Sequence, residues 1–165
     1  MIKPVSLANL VGLRLMTAAY AADMRGFGFG KQGEEAPEER GQWWLHIQCP
    51  WRIESRDAVI TGSLDWYELA DPDADRDPEW DPAHGGSLQE ARLRGLFQDY
   101  NESERVIHDM TGLLVVDNVE VTAYGDVLLE FTNDLRLRVF ASGTRGEFWR
   151  VFEKGNPDSH FVFEL

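Results

Sequence analysis

A chain of 165 residues with 43% hydrophobic and 12% aromatic content reads as one packed domain, 1–165, able to hide roughly 70% of the surface its unfolded form exposes. Its 16 lysines and arginines against 29 aspartates and glutamates give a net charge of -13, which repels phosphate backbones and anionic membranes, so neither nucleic acid nor membrane is an expected partner. The single cysteine, Cys49, excludes an internal disulfide framework and a multi-cysteine zinc site.

In chain order, the opening MIKPVSLANLVGLRLM is interrupted by Pro4, Ser6, Asn9 and Arg14 where a secretion signal would be apolar, and no run of about 18 apolar residues follows, so a cytoplasmic protein is expected. Strands are predicted over 12–19 and 24–30. Residues 28–33 spell G-x-G-x-x-G, but Glu34, Glu35, Glu38 and Glu39 come next, where a dinucleotide site needs a helix N-terminus open to pyrophosphate; no nucleotide or other cofactor is expected. The glycines alternating with Phe27 and Phe29 instead let a backbone or an aromatic ring approach that side of the strand. Residues 31–41, KQGEEAPEERG, read as an acidic surface loop.

In WWLHIQCPWRI, Trp43, Leu45, Ile47, Cys49, Trp51 and Ile53 share one face of a single strand, and Trp44, His46, Gln48, Pro50 and Arg52 share the other. Pro50 has no N–H for a ladder, which predicts an edge strand or a bulge there. A strand over 59–67 leads into a second acidic surface loop, 70–86, where Asp71, Asp73, Asp75, Asp77, Glu79 and Asp81 alternate with other residues. An EF-hand calcium loop counted from Asp71 requires Gly at its sixth position and Glu at its twelfth, but this chain has Arg76 and Pro82; a solvated loop is read, and no metal site. Ser87 and Glu90 form a capping box, and Leu93, Leu96, Phe97 and Tyr100 recur at helical spacing, so one principal helix is predicted over 88–100, with a second short turn over 101–110.

The most regular stretch is NVEVTAYGDVLLEFTNDLRLRVFASG. Val119, Val121 and Ala123, then Val127, Leu129 and Phe131, then Leu135, Leu137 and Val139 alternate with polar residues, the period of half-buried strands. A two-residue loop at Asn133-Asp134 would turn the charged face inward, because a one-residue slip swaps faces. A three-residue loop, 132–134, pairs Phe131 with Leu135 and Leu129 with Leu137. By the same rule 124–126 closes the preceding hairpin and pairs Ala123 with Val127, which sets Glu120, Glu130 and Arg136 in one row on the wet face. Strands over 148–152 and 160–163 complete the chain. The order of Tyr20, the Phe27/Phe29 strand, the Leu45 strand and Trp51-Arg52-Ile53 echoes Tyr124, the Phe131 strand, the Leu135 strand and Trp149-Arg150-Val151.

No reactive constellation emerges. His46 and Cys49, three apart on a strand, point to opposite faces, with Cys49 in the apolar row; His84, His108 and His160 lack ligand spacing, and neither a G-x-S-x-G elbow nor a phosphate loop is present. The pattern gives no catalytic residue. Each Trp of the Trp51-Arg52 and Trp149-Arg150 pairs reads as core with its Arg outside. The sharper reading gathers Trp44, His46, Arg52 and Arg150 into a recognition patch, because a large aromatic on a polar face is what an interface uses. The carboxylates Asp73, Asp75, Asp77 and Glu79 are the other candidate partner-binding residues.

At LHIQCPWRI, and at the later run of Gly-Asp, apolar strand, Asn-Asp turn, apolar strand and Trp-Arg, the chain resembles a family of small bacterial proteins of unassigned function. In size and acidity it is similar to immunity proteins that neutralise secreted bacterial toxins. The resemblance implies no catalytic residue.

The expected fold is α+β, mainly antiparallel β-sheet built from two meanders with one principal α-helix between them. The expected function is a non-enzymatic acidic protein-binding module for a basic protein partner, with an immunity-type inhibitor of a basic toxin as its specific form. Two alternatives stand beside it. One is a small-molecule binder or enzyme with a pocket between sheet and helix, using carboxylates such as Asp23 or Asp126; the other is a homo-oligomer paired through a strand edge.

Overall fold

The computed structural model describes residues 5–33, 42–103 and 105–165; the 34–41 portion of the first acidic loop lies outside them. A short helix α1 (Val5–Ala8) precedes β1 (Arg14–Ala21), β2 (Met24–Gly30), β3 (Trp43–Ile47), β4 (Trp51–Glu54) and β5 (Val59–Gly62). A 3-10 turn (Ser63–Tyr67) and the loop 70–86 lead to α2 (Leu88–Phe97). Then come β6 (Val106–His108), β7 (Val116–Val121), β8 (Val127–Phe131), β9 (Arg136–Val139), β10 (Glu147–Glu153) and β11 (Phe161–Glu164). Every pairing is antiparallel, and α2 separates two meanders, β1-β2-β3 and β7-β8-β9: an α+β architecture.

The strands make a six-stranded sheet in the order β11-β10-β3-β2-β1-β6 and a five-stranded sheet in the order β5-β4-β9-β8-β7. Each meander ends by sending the chain into the other sheet, β3 continuing into β4 and β9 into β10. The two crossings run side by side, with Phe140 N donating to Pro50 O at 2.8 Å and Gln48 N to Phe148 O at 2.9 Å. The single strand expected over 43–53 is therefore two strands in different sheets. Pro50, which has no N–H to donate, falls at the corner between them, where it only accepts. Gly12 N to Val116 O and Leu15 N to Leu114 O, both 2.8 Å, tie the start of β1 to the chain entering β7, so the sheets wrap one core. Leu15, Phe27, Leu45 and Trp149 from one sheet meet Trp51, Leu129, Leu137 and Val139 from the other in that core, each worth about 1.5–3 kcal/mol of burial.

Several boundaries shift for local reasons. The strand expected over 59–67 stops at Gly62, because SLDWY winds into the 3-10 turn, fastened by Thr61 Oγ1 donating to Asp65 Oδ2 at 3.0 Å. Helix α2 is capped by Ser87, whose Oγ accepts from Glu90 N at 3.2 Å, and ends at Phe97 with Gln98 in the left-handed region, φ 54. Within 101–110 the Asp99 carboxylate accepts from Asn101 N and His108 N, both at 2.9 Å, and so aligns β6 along β1.

The 132–134 loop forms as expected, with Leu129 opposite Leu137 and Phe131 N donating to Leu135 O at 2.9 Å. The preceding hairpin differs: Val121, not Ala123, stands opposite Val127. Gly125, at φ 90, lies under the Phe163 ring in a position where a Cβ would collide with it, and its carbonyl accepts from Trp149 Nε1 at 2.7 Å, which requires a wider turn. The shift is two residues, so the buried face is preserved. The expected row of Glu120, Glu130 and Arg136 becomes Asn118, Glu130, Arg136 and Glu54, while Glu120 stands opposite Leu128.

Candidate functional site

The strand crossing at 48–50 divides the recognition patch. Trp44 and His46 on β3 and Arg150 on β10 share the outer face of the six-stranded sheet, with Arg150 directly opposite His46. Arg52 belongs to the other sheet, where its Nε meets Glu54 Oε2 at 2.7 Å and its guanidinium lies 5.2 Å from the Phe140 ring centre. It is not part of the patch. The glycines of β2 receive the aromatic rings, since a Cβ at Gly28 would stand 3.1 Å from Trp44 Cζ2 and 2.6 Å from Thr17 Cγ2. Trp44 is thereby half-buried against its own sheet. His46 lies edge-on to Phe152 at 4.8 Å, and Phe152 stacks on His160 at 4.6 Å. Burial, and then the Arg150 charge, push the His46 imidazole below its ordinary value, while Arg150 is held by Glu147 at 2.5 and 2.6 Å.

The loop carboxylates Asp73, Asp75, Asp77 and Glu79 are all exposed. The loop is shaped by its own turns: Asp71, Asp77 and Asp81 each accept from the backbone N–H two residues on, at 3.0, 2.9 and 2.9 Å. Arg76 Nη2 donates to Tyr67 O at 3.0 Å and its guanidinium rests 5.4 Å from the Trp80 ring centre. Among the described residues no group of three or more His, Cys, Asp or Glu is arranged to hold a metal ion.

A different site lies between sheet and helix. The β1-β2 hairpin, the corner between β3 and β4, the 3-10 turn and the first turn of α2 enclose a cavity of about 170 Å³. Arg25, only 2% exposed, lines it. Its Nε donates to Gln89 Oε1 at 3.0 Å, its Nη2 donates to the same oxygen, and its Nη1 has no hydrogen-bond partner. Gln89 is itself anchored, its Nε2 donating to Gly62 O at 3.0 Å. Tyr20 and Trp66 stack on each other at 3.7 Å, and the guanidinium lies 5.1 and 5.3 Å from their ring centres.

Burial pulls the Arg25 guanidinium down to about 10, against the opposing influence of Glu90 and Tyr20, so it remains a cation at neutral pH. Burial, with Tyr67 nearby, pushes the Tyr20 phenol up, so that group stays neutral. Cys49 lines the same cavity and burial pushes its thiol up to about 12, which makes it a poor nucleophile. Asp23 is exposed at the rim, whereas Asp126 does not line the cavity and accepts from Ala141 N at 2.9 Å, tying the β7-β8 turn to the chain that follows β9. A larger hollow of about 300 Å³ beside Arg56, Asp117, Glu130 and Arg136 carries charges of both signs; its buried Arg136 Nε makes no hydrogen bond but stands 3.3 Å from the Glu54 carboxylate.

The sequence does contain the signal for this site. Arg25 shares the strand parity of Phe27 and Phe29, and Gln89 precedes the buried Leu93 by one helical turn, so a cation and an amide stand where apolar residues belong. Compared with protein families, curated proteins and solved structures, the chain matches none. No helix among the described residues is long and apolar enough to cross a membrane.

Proposed function

We propose that the protein is a non-enzymatic acidic protein-binding module that captures a basic protein partner, in the manner of an immunity-type inhibitor engaging a basic toxin. The supporting observation is the distribution of charge. Arg14, Arg52, Arg136, Arg138 and Arg150 are drawn into ion pairs with Asp109, Glu54 and Glu147, whereas Asp73, Asp75, Asp77 and Glu79 face solvent. Those five arginines are paired within the fold, and part of the acidic surplus faces outward on a loop already shaped by its own hydrogen bonds. Such a surface accelerates encounter with a cationic protein and loses its hold as salt rises. A cytoplasmic setting and the absence of nucleic-acid or membrane partners belong to the same reading, because that field repels both.

The test compares wild type with a fourfold variant, Asp73→Asn, Asp75→Asn, Asp77→Asn and Glu79→Gln, as baits in cell lysate at low and high salt. The expected result is a basic protein retained by wild type at low salt, released at high salt, and absent from the variant. Capture that is indifferent to these carboxylates, or no capture, overturns the proposal.

A further inference from the structure

Among the described residues no carboxylate lies within ion-pair distance of the buried Arg25, although Glu90 stands near enough to favour its charge. Arg14, Arg52, Arg138 and Arg150 each reach a carboxylate oxygen within 3.3 Å, but among the described residues Arg25 is given the Gln89 amide oxygen and the side of the stacked Tyr20–Trp66 pair. Charges removed from water are paired as a rule, because the lost hydration has to be replaced by an opposite charge or by a full set of hydrogen bonds. Here neither is complete. Gln89 takes the edge of the fork formed by Nε and Nη2, and the side carrying Nη1 is left without an acceptor.

We propose that this cavity binds a small monocarboxylic acid, its apolar or aromatic body against the stacked Tyr20 and Trp66 and its carboxylate drawn to the Arg25 guanidinium, whose buried Nη1 lacks an acceptor. A carboxylate is the acceptor that fits, since it is planar and offers two oxygens to a guanidinium fork. A single charge fits better than a phosphate dianion because the chain carries a net charge of -13, and Asp23 stands at the rim. Part of the mouth is apolar: Leu64 is 79% exposed and Tyr67 56%, large side chains left in water beside a cavity that a ligand body would cover. About 170 Å³ corresponds to the space of roughly five or six waters, which limits the acid to a small one. None of Asp73, Asp75, Asp77 and Glu79 lines the cavity, so it stands or falls separately from capture of a basic protein through those carboxylates.

Calorimetric titration of the full chain with acetate, butyrate and phenylacetate, each beside its neutral amide, tests the assignment, with inorganic phosphate as a further arm. The expected result is one-to-one binding of at least one acid, at least tenfold tighter than its amide, with phosphate weaker. Two variants locate the site. Leu64→Asp, at an exposed rim position, sets a second negative charge at the mouth and is expected to weaken the acid at least tenfold with the melting temperature unchanged. Gln89→Glu puts a carboxylate on the fork from within and is expected to abolish binding. No acid binding at millimolar concentration, phosphate binding more tightly than every acid, equal binding of acid and amide, or undiminished affinity in Leu64→Asp each overturns the proposal.

Discussion

Replacing Glu54 with Gln removes one charge on which three arginines depend. Glu54, only 7% exposed, has Oε1 at 2.6 Å from Arg138 Nε and 3.3 Å from Arg136 Nε, and Oε2 at 2.7 Å from Arg52 Nε. Without it, Arg52 and Arg138 are like charges directly opposite one another across β4 and β9. Breaking a buried pair from one side costs about 3–5 kcal/mol. These arginines keep 43, 33 and 32% of their side-chain surface in water and stay partly hydrated, so about 2–3 kcal/mol is the expected loss. At about 2–4 °C per kcal/mol for a domain of this size, the melting temperature falls by about 4–12 °C.

Acid should close the gap. Burial pushes the Glu54 carboxyl up, but hydrogen bonds from Arg138 and Arg52 outweigh it and hold the group below its ordinary 4.5. A carboxyl depressed in the folded state contributes stability that is present above the unfolded value and lost as pH falls through the folded one. Urea unfolding followed by tryptophan fluorescence at neutral and at acidic pH reads both effects. A Glu54→Gln protein as stable as wild type at neutral pH, or a difference that persists unchanged in acid, refutes the reasoning.

Gly125→Ala forces a side chain into the Phe163 ring at a backbone angle, φ 90, that L residues avoid, and it disturbs the carbonyl that receives Trp149 Nε1. A loss of more than about 3 kcal/mol in urea unfolding is expected, and a loss below about 1 kcal/mol shows that the turn can relax. Cys49, its thiol pushed up to about 12 by burial, should react with iodoacetamide at least about a hundredfold more slowly in the native protein than in urea; equal rates contradict that burial.

Alternation along the chain revealed the meanders, the helix and the buried rows, because each depends on residues near in sequence. It did not reveal the strand crossing. Cys49, Trp51 and Ile53 are all buried in step with Leu45 and Ile47, so the parity runs through Pro50 unbroken while the hydrogen-bond partners change from β2 and β10 to β5 and β9. The hairpin at Gly125 escaped for a related reason. A two-residue shift leaves every apolar row in place, and the choice is made by Phe163 and Trp149, side chains from the far end of the chain. The cavity was only half legible: the parity of Arg25 marks it as anomalous, but its nearness to Gln89 and Trp66 comes from the packing of α2 and the 3-10 turn.

The exchange of strands between sheets also bears on how the protein is made. When β3 and β4 leave the ribosome, the strands that will flank one side of them, β10 and β9, have yet to be synthesised. A nascent chain of the first half therefore carries a bare ladder of donors and acceptors beside Leu45, Ile47 and Trp51, the kind of edge on which unrelated chains can pair. Translation speed through 87–165, and chaperone occupancy during that interval, should govern yield more strongly than the stability of the finished protein.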